Sequence, residues 1–322
     1  KKGQRNAVVV LSTWQDSQSA SSSYQLLSEW VEKTLNIRNE IRNAKPTIDI
    51  KLLKSVKTFP FVDLYIASTL KRQIIEDKTI DQIGEFRSII EEHIDARLDS
   101  YWASPRGQLP IQTHLHALFR ALKESLEFLD LVSKIKLDSE NNWKDLFNKY
   151  YHELYKIDQS YRKYYEWAIQ VPKGWDILEK LSERIENFYI NKYLYSLSAN
   201  WNSLVTTGGI LDSWSMGLVP SQYSFHDRFI RPLLRGKVKR RIYVLISDAF
   251  RYESAYELFD QLNRTPKLKT DIEPMLGVVP SYTALGMASL LPHKEITYNK
   301  DQVLVDGKST SGILNRSKIL ES

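Results

Sequence analysis

Apolar residues recur along this chain with two different periods, and the place where the period changes divides it. Between Leu26 and Trp201 the spacing is mostly three and four, which gathers apolar side chains on one face of a helix. Leu26, Leu27, Trp30, Val31 and Leu35 mark a first amphipathic helix. Phe61, Leu64, Tyr65, Ala67, Leu70, Ile74 and Ile75 mark a second, which starts after Pro60. The same texture continues through Ile80–Leu98, Leu115–Ile135, Trp143–Val171 and Trp175–Trp201, with no internal repeat. Ahead of it, Ala7–Leu11 reads as a short strand because Val8, Val9 and Val10 are β-branched, and the Ser-rich stretch 16–23 reads as a loop or a helix entry. The pattern therefore predicts a mainly helical domain over residues 1–235.

From Ser203 to Arg241 the pattern loosens, and the domain boundary is expected near Gly236. Lys237, Lys239, Arg240 and Arg241 then lead into Ile242–Ile246, an almost wholly apolar run of the kind written for a strand covered on both faces. Ser247 and Asp248 end that run. Tyr252, Ala255, Tyr256, Leu258, Phe259 and Leu262 return to helical spacing, and Asn263 with Pro266 closes the segment. Asp248 is thus expected at the carboxyl end of a strand, where ligands bind in open α/β sheets.

A second unit follows. Ile272–Val279 is apolar apart from Glu273, Pro274 and Gly277, and Pro280-Ser281-Tyr282-Thr283 opens onto the apolar run Ala284–Leu291. Hydroxyls at a helix start have two readings. One is a helix cap; the other is a nucleophile at the amino end of a helix, where exposed N–H groups favour a phosphate. Farther on, Val303-Leu304-Val305 reads as a strand and Asp306–Gly312 as a turn.

Five stretches in one order carry a resemblance. They are Ile246–Glu253, Glu273–Gly277, Pro280–Met287, Leu290–His293 and Val303–Thr310, and together they resemble the PglZ family of BREX (bacteriophage exclusion) phage-resistance systems, within the alkaline phosphatase superfamily. The resemblance implies an α/β fold overall: a largely helical domain, then, at 236–322, the first part of an alkaline-phosphatase-like doubly wound α/β domain. It implies metal-dependent hydrolysis of a phosphate ester with two divalent metals, usually zinc. Asp248 matches the metal ligand after the first strand, and Ser281 and Thr283 match the turn of the nucleophile. Thr283, closer to the helical run, is favoured as nucleophile and metal-bound hydroxyl, with Ser281 as the cap. The remaining Asp and His ligands are expected beyond Ser322, so the chain reads as a fragment, inactive alone. Other BREX components, a methyltransferase and an ATPase, are the implied partners, and DNA stays open as a further one.

Composition narrows this modestly. The chain holds 45 basic and 39 acidic residues, a formal net charge of +6 that permits contact with nucleic acid without arguing for it. With no cysteine there is no disulfide, no thiolate metal site and no Cys nucleophile, which fits a reducing cytoplasm. No apolar run is long enough for a membrane span. His114 and His116, two residues apart, do not share one face of a helix and read as structural, while His293 has a conceivable site role. The tyrosines and tryptophans of 143–201, interleaved with Lys and Arg, suit a helical core better than a stacking surface for single-stranded nucleic acid. The competing class is a non-catalytic scaffold or nucleic-acid-associated module of a defence complex.

Overall fold

The computed structural model describes residues 13–15, 17, 19–76, 83–104, 109–136, 140, 142–217, 219–235 and 241–321. Its principal helices in chain order are α1 (Ser21–Thr34), α2 (Pro60–Glu76), α3 (Ile83–Leu98), α4 (Pro110–Ser133), α5 (Trp143–Lys149), α6 (Tyr155–Ala168), α7 (Glu179–Asn187), α8 (Tyr195–Thr207), α9 (Tyr252–Asn263), α10 (Thr283–Ser289) and α11 (Ile313–Leu320). Strands β1 (Ile296–Asn299), β2 (Gln302–Val305) and β3 (Lys308–Ser309) lie between α10 and α11. The expected strand at Ala7–Leu11 and the boundary at Gly236 lie outside the described residues, as do Lys237, Lys239 and Arg240.

The chain sorts into two compact units, Lys1–Leu137 with Lys156–Ser198 and Asp138–Tyr155 with Ala199–Ser322. The expected division at 235/236 falls within the second.

In the first unit, α4 shows why the helical reading held. Pro110 occupies its first turn, where no N–H is required, and the Gln112 side chain accepts from the Leu109 N–H at 3.1 Å. Leu115, Leu118, Phe119, Leu122, Leu126 and Leu129 are all buried. α2 begins at Pro60 and buries Phe61, Val62, Ile66, Ala67, Leu70 and Ile74.

α1 departs from expectation. The helix is present, but it turns Tyr24, Ser28 and Glu32 inward, while Leu26 is 68% and Trp30 62% exposed. Backbone groups explain the reversal: Ser28 Oγ donates to Thr58 O, and Glu32 accepts from the Phe61 N–H at 3.1 Å and from Arg38 Nε at 2.8 Å. A polar stripe can be buried when each group finds a partner.

A buried ion pair crosses this unit. Arg97 reaches Asp63 at 3.4 Å and the carbonyls of Val56 at 2.8 Å and Lys54 at 3.3 Å, with a further bond to Leu53 O. Burial pushes the Asp63 carboxyl up to about 7, against the opposing pull of Arg97.

Part of the aromatic stretch is interior here, as the core reading expected, while Tyr195 is 72% exposed. Tyr164 and Tyr193 are fully buried, and Tyr161 stacks on Tyr189 with centroids 3.7 Å apart. Asp158, also buried, accepts from the hydroxyls of Tyr189 at 2.9 Å and Tyr193 at 3.3 Å. His116 Nδ1 lies 2.9 Å from Ala103 O, in keeping with a structural role.

In the second unit the sheet is small. β1, β2 and β3 pair antiparallel in that order, with Val303 and Val305 turned into a cluster formed by Val278, Leu285, Ala288, Leu291 and Ile319. A second cluster gathers Trp143, Val205, Ile210, Met216 and Leu276. The expected strand Ile242–Ile246 differs from the pattern. It forms no ladder among the described residues, and Tyr243 is 79% and Leu245 97% exposed. An apolar run becomes a strand only when neighbouring chain accepts its backbone hydrogen bonds and covers its faces.

Candidate active site

The local chain explains where Asp248 points. Ala249 takes a left-handed conformation with φ of 56°, so the backbone turns sharply behind Asp248, whose Oδ1 accepts from the Ala249 N–H at 3.1 Å. α9 then starts at Tyr252, with its cap at Arg251 in extended conformation. One ring holds the start of α9: Tyr155 lies 5.4 Å from Tyr252 and 4.6 Å from Tyr256, centroid to centroid. Glu253 is fully buried in the first turn.

The turn at Pro280 delivers the hydroxyls. α10 begins at Thr283, and the extended residue before it, Tyr282, is the cap and makes no side-chain cap bond. The expected capping role of Ser281 is therefore corrected, because Ser281 stands one residue ahead of the cap. Across 35 residues of sequence, Thr283 Oγ1 donates to Asp248 Oδ2 at 3.0 Å. The fold thus brings Asp248 and Thr283 together at an exposed position.

Around this pair the supports are backbone contacts that the sequence did not announce. Trp214 Nε1 donates to Gly277 O at 2.7 Å, and Gln222 Nε2 donates to Gly286 O at 2.9 Å. His293 uses Nδ1 on Leu291 O at 2.7 Å and sets its ring edge-on to Tyr223 with centroids 6.3 Å apart. Asp306 accepts from the N–H groups of Glu295 at 2.9 Å and Lys294 at 3.0 Å, and those bonds hold its carboxyl below the usual range.

Residues 225–322 match the BREX system PglZ alkaline phosphatase-like domain. Nearly the whole chain is similar to two curated proteins, 32% identical over 99% of its length to the alkaline phosphatase-like protein BrxZ of Escherichia coli O9:H4 (strain HS). To the alkaline phosphatase-like protein PglZ of Bacillus cereus (strain H3081.97) it is 31% identical over 98% of its length. It spans 36% and 34% of those two proteins. No solved structure matches the chain.

The donors on hand can be tested against a metal. Asp248 and Thr283 supply hard oxygen atoms of the kind a divalent cation takes, within one hydrogen bond of each other. Among the described residues, no group of three or more His, Cys, Asp or Glu gathers for a metal, and a catalytic zinc needs three protein ligands. The residues of the PglZ domain seen here do not by themselves make a two-metal site. Among the described residues no helix is long and apolar enough to cross a membrane.

Proposed function

We propose that this chain is part of a BREX phage-defence component that hydrolyses phosphate esters, with Thr283 as nucleophile and Asp248 as its partner. The observation that carries the reading is the 3.0 Å bond from Thr283 Oγ1 to Asp248 Oδ2, between two motifs far apart in sequence. Asp248 orients the hydroxyl toward one direction and keeps an acceptor on its proton. The first turn of α10 adds N–H groups near the attacking oxygen.

Two zinc ions belong to this proposal. They would supply a hydroxyl of lowered pKa and neutralisation of phosphoryl charge. Asp248 and Thr283 would be their ligands from this chain, and the others would come from the part of the longer relatives that this chain does not span. The same longer polypeptide would pair Ile242–Ile246 as the first strand of a doubly wound sheet, which is what its two apolar faces suit. The partners proposed with it are the methyltransferase and ATPase of a BREX system.

A scaffold role is the second reading, and the exposed Asp248 with no ligand cluster among the described residues favours it. Elemental analysis for zinc, beside hydrolysis of an aryl phosphate mono- and diester by the full-length polypeptide, separates the two. Thr283→Ala should abolish turnover and leave metal content intact, whereas Asp248→Ala should remove both. Turnover that survives Thr283→Ala and Ser281→Ala would remove both hydroxyls as nucleophile, and no zinc and no turnover in the unsubstituted protein would leave the scaffold reading.

A further inference from the structure

Gln222 stands three residues ahead of the matched PglZ segment, yet it touches both ends of the turn that carries Ser281 and Thr283. Its backbone N–H donates to Leu276 O at 2.9 Å, and the Leu276 N–H donates to Pro220 O at 2.9 Å, so 220–222 lies beside Leu276 as a short parallel bridge. That fixes the chain entering the turn. The Gln222 side chain then crosses to the far end and donates from Nε2 to Gly286 O at 2.9 Å, one helical turn after Thr283.

We infer that Gln222 is a positioning residue, a clamp that holds the amino end of α10 so that the Thr283 hydroxyl stays against Asp248. This rests on the phosphate-ester reading above. The physical reason is that α10 is short, Thr283–Ser289, and no side chain caps it, so its own hydrogen bonds fix its first residue weakly. Contacts from outside must supply the precision that a nucleophile needs, within about 0.5 Å. Gln222 gives two such contacts from one residue, and Trp214, through Gly277 O, secures the chain entering the turn.

Gln222→Glu tests it in the full-length polypeptide, because it keeps shape and backbone pairing but sets a carboxylate oxygen against Gly286 O, which then keeps its bond from Ser289 Oγ at 2.8 Å. The kcat for aryl phosphate ester hydrolysis should fall about 10- to 100-fold, the scale of a misplacement near 1 Å. KM, zinc content and Tm should stay unchanged. Gln222→Lys, which restores a donor, should recover most of the loss. Wild-type kcat in Gln222→Glu, or a loss of kcat that follows a loss of zinc and Tm, would overturn the clamp. Should the unsubstituted protein neither bind zinc nor turn over ester, the phosphate-ester reading fails, and amide exchange in residues 284–289 decides for Gln222 alone. Faster exchange in Gln222→Glu supports the clamp; unchanged exchange overturns it.

Discussion

Helix α4 and the run Ile242–Ile246 are both apolar enough to promise burial, and only the first is buried. In α4 the pattern and the outcome agree, with Leu115, Leu118, Phe119 and Leu122 fully covered. In the second, Leu245 is almost bare. A helix satisfies its own backbone and needs neighbours for one face only, whereas a central strand needs partners on both edges and cover on both faces. Apolar pattern alone therefore says more about a helix than about a strand.

The contrast predicts unequal costs. Phe119→Ala should lower the stability of the first unit by about 3–5 kcal/mol, read from denaturant unfolding, since a buried ring leaves a cavity. A loss below about 1 kcal/mol would show that α4 is less firmly packed than its burial says.

Next in size is a pH effect in the same unit. Asp63 has its carboxyl pushed up to about 7 in the fold from an ordinary 3.8, so the folded state binds the proton more tightly. Its contribution is full below pH 3.8 and is lost as pH rises through about 7. Unfolding free energy should fall across that window by up to about 1.4 kcal/mol per pH unit, and Asp63→Asn should flatten the slope. An unaltered slope in Asp63→Asn would assign the dependence to other groups.

In the second unit, Gly208→Ala should cost about 1–2 kcal/mol by thermal unfolding. An added Cβ would meet Trp143 at 2.4 Å and Leu204 O at 2.6 Å, and that overpacking exceeds the gain of about 0.4–1 kcal/mol from a stiffer unfolded chain. Ser281→Ala should stay within about 0.5 kcal/mol, because Ser281 is not the cap of α10.

The smallest effect sharpens the comparison most. Leu245→Lys should change the stability of this chain by no more than about 0.5 kcal/mol, as for any bare surface site. In the full-length polypeptide, where the run would pair and be covered, the same change should cost more than about 2 kcal/mol. Equal small effects in both would remove Ile242–Ile246 from any buried sheet.

Much of the fold was legible in the sequence, and particular residues show where reading stopped. Pro60 marked a helix start, and the helical spacing after Tyr252 gave α9, because a helix is a local solution of local hydrogen bonds. Val303–Val305 gave β2, while β1 was not foreseen: Ile296–Asn299 alternates apolar and polar, but over four residues only, and it is a strand because β2 pairs with it. α1 was foreseen as a helix with its face reversed: Ser28 and Glu32 are buried by partners from Thr58 and Phe61 that spacing cannot reveal.

For the site, sequence alone determined the residue types and the order of motifs, Asp248 after an apolar run and hydroxyls before a helix. Only the tertiary structure decided that Thr283 rather than Ser281 meets Asp248, and that Gln222 and Trp214 reach the turn between them. The reason is physical: motif chemistry is written residue by residue, but a 3.0 Å contact across 35 positions depends on how every element between them packs.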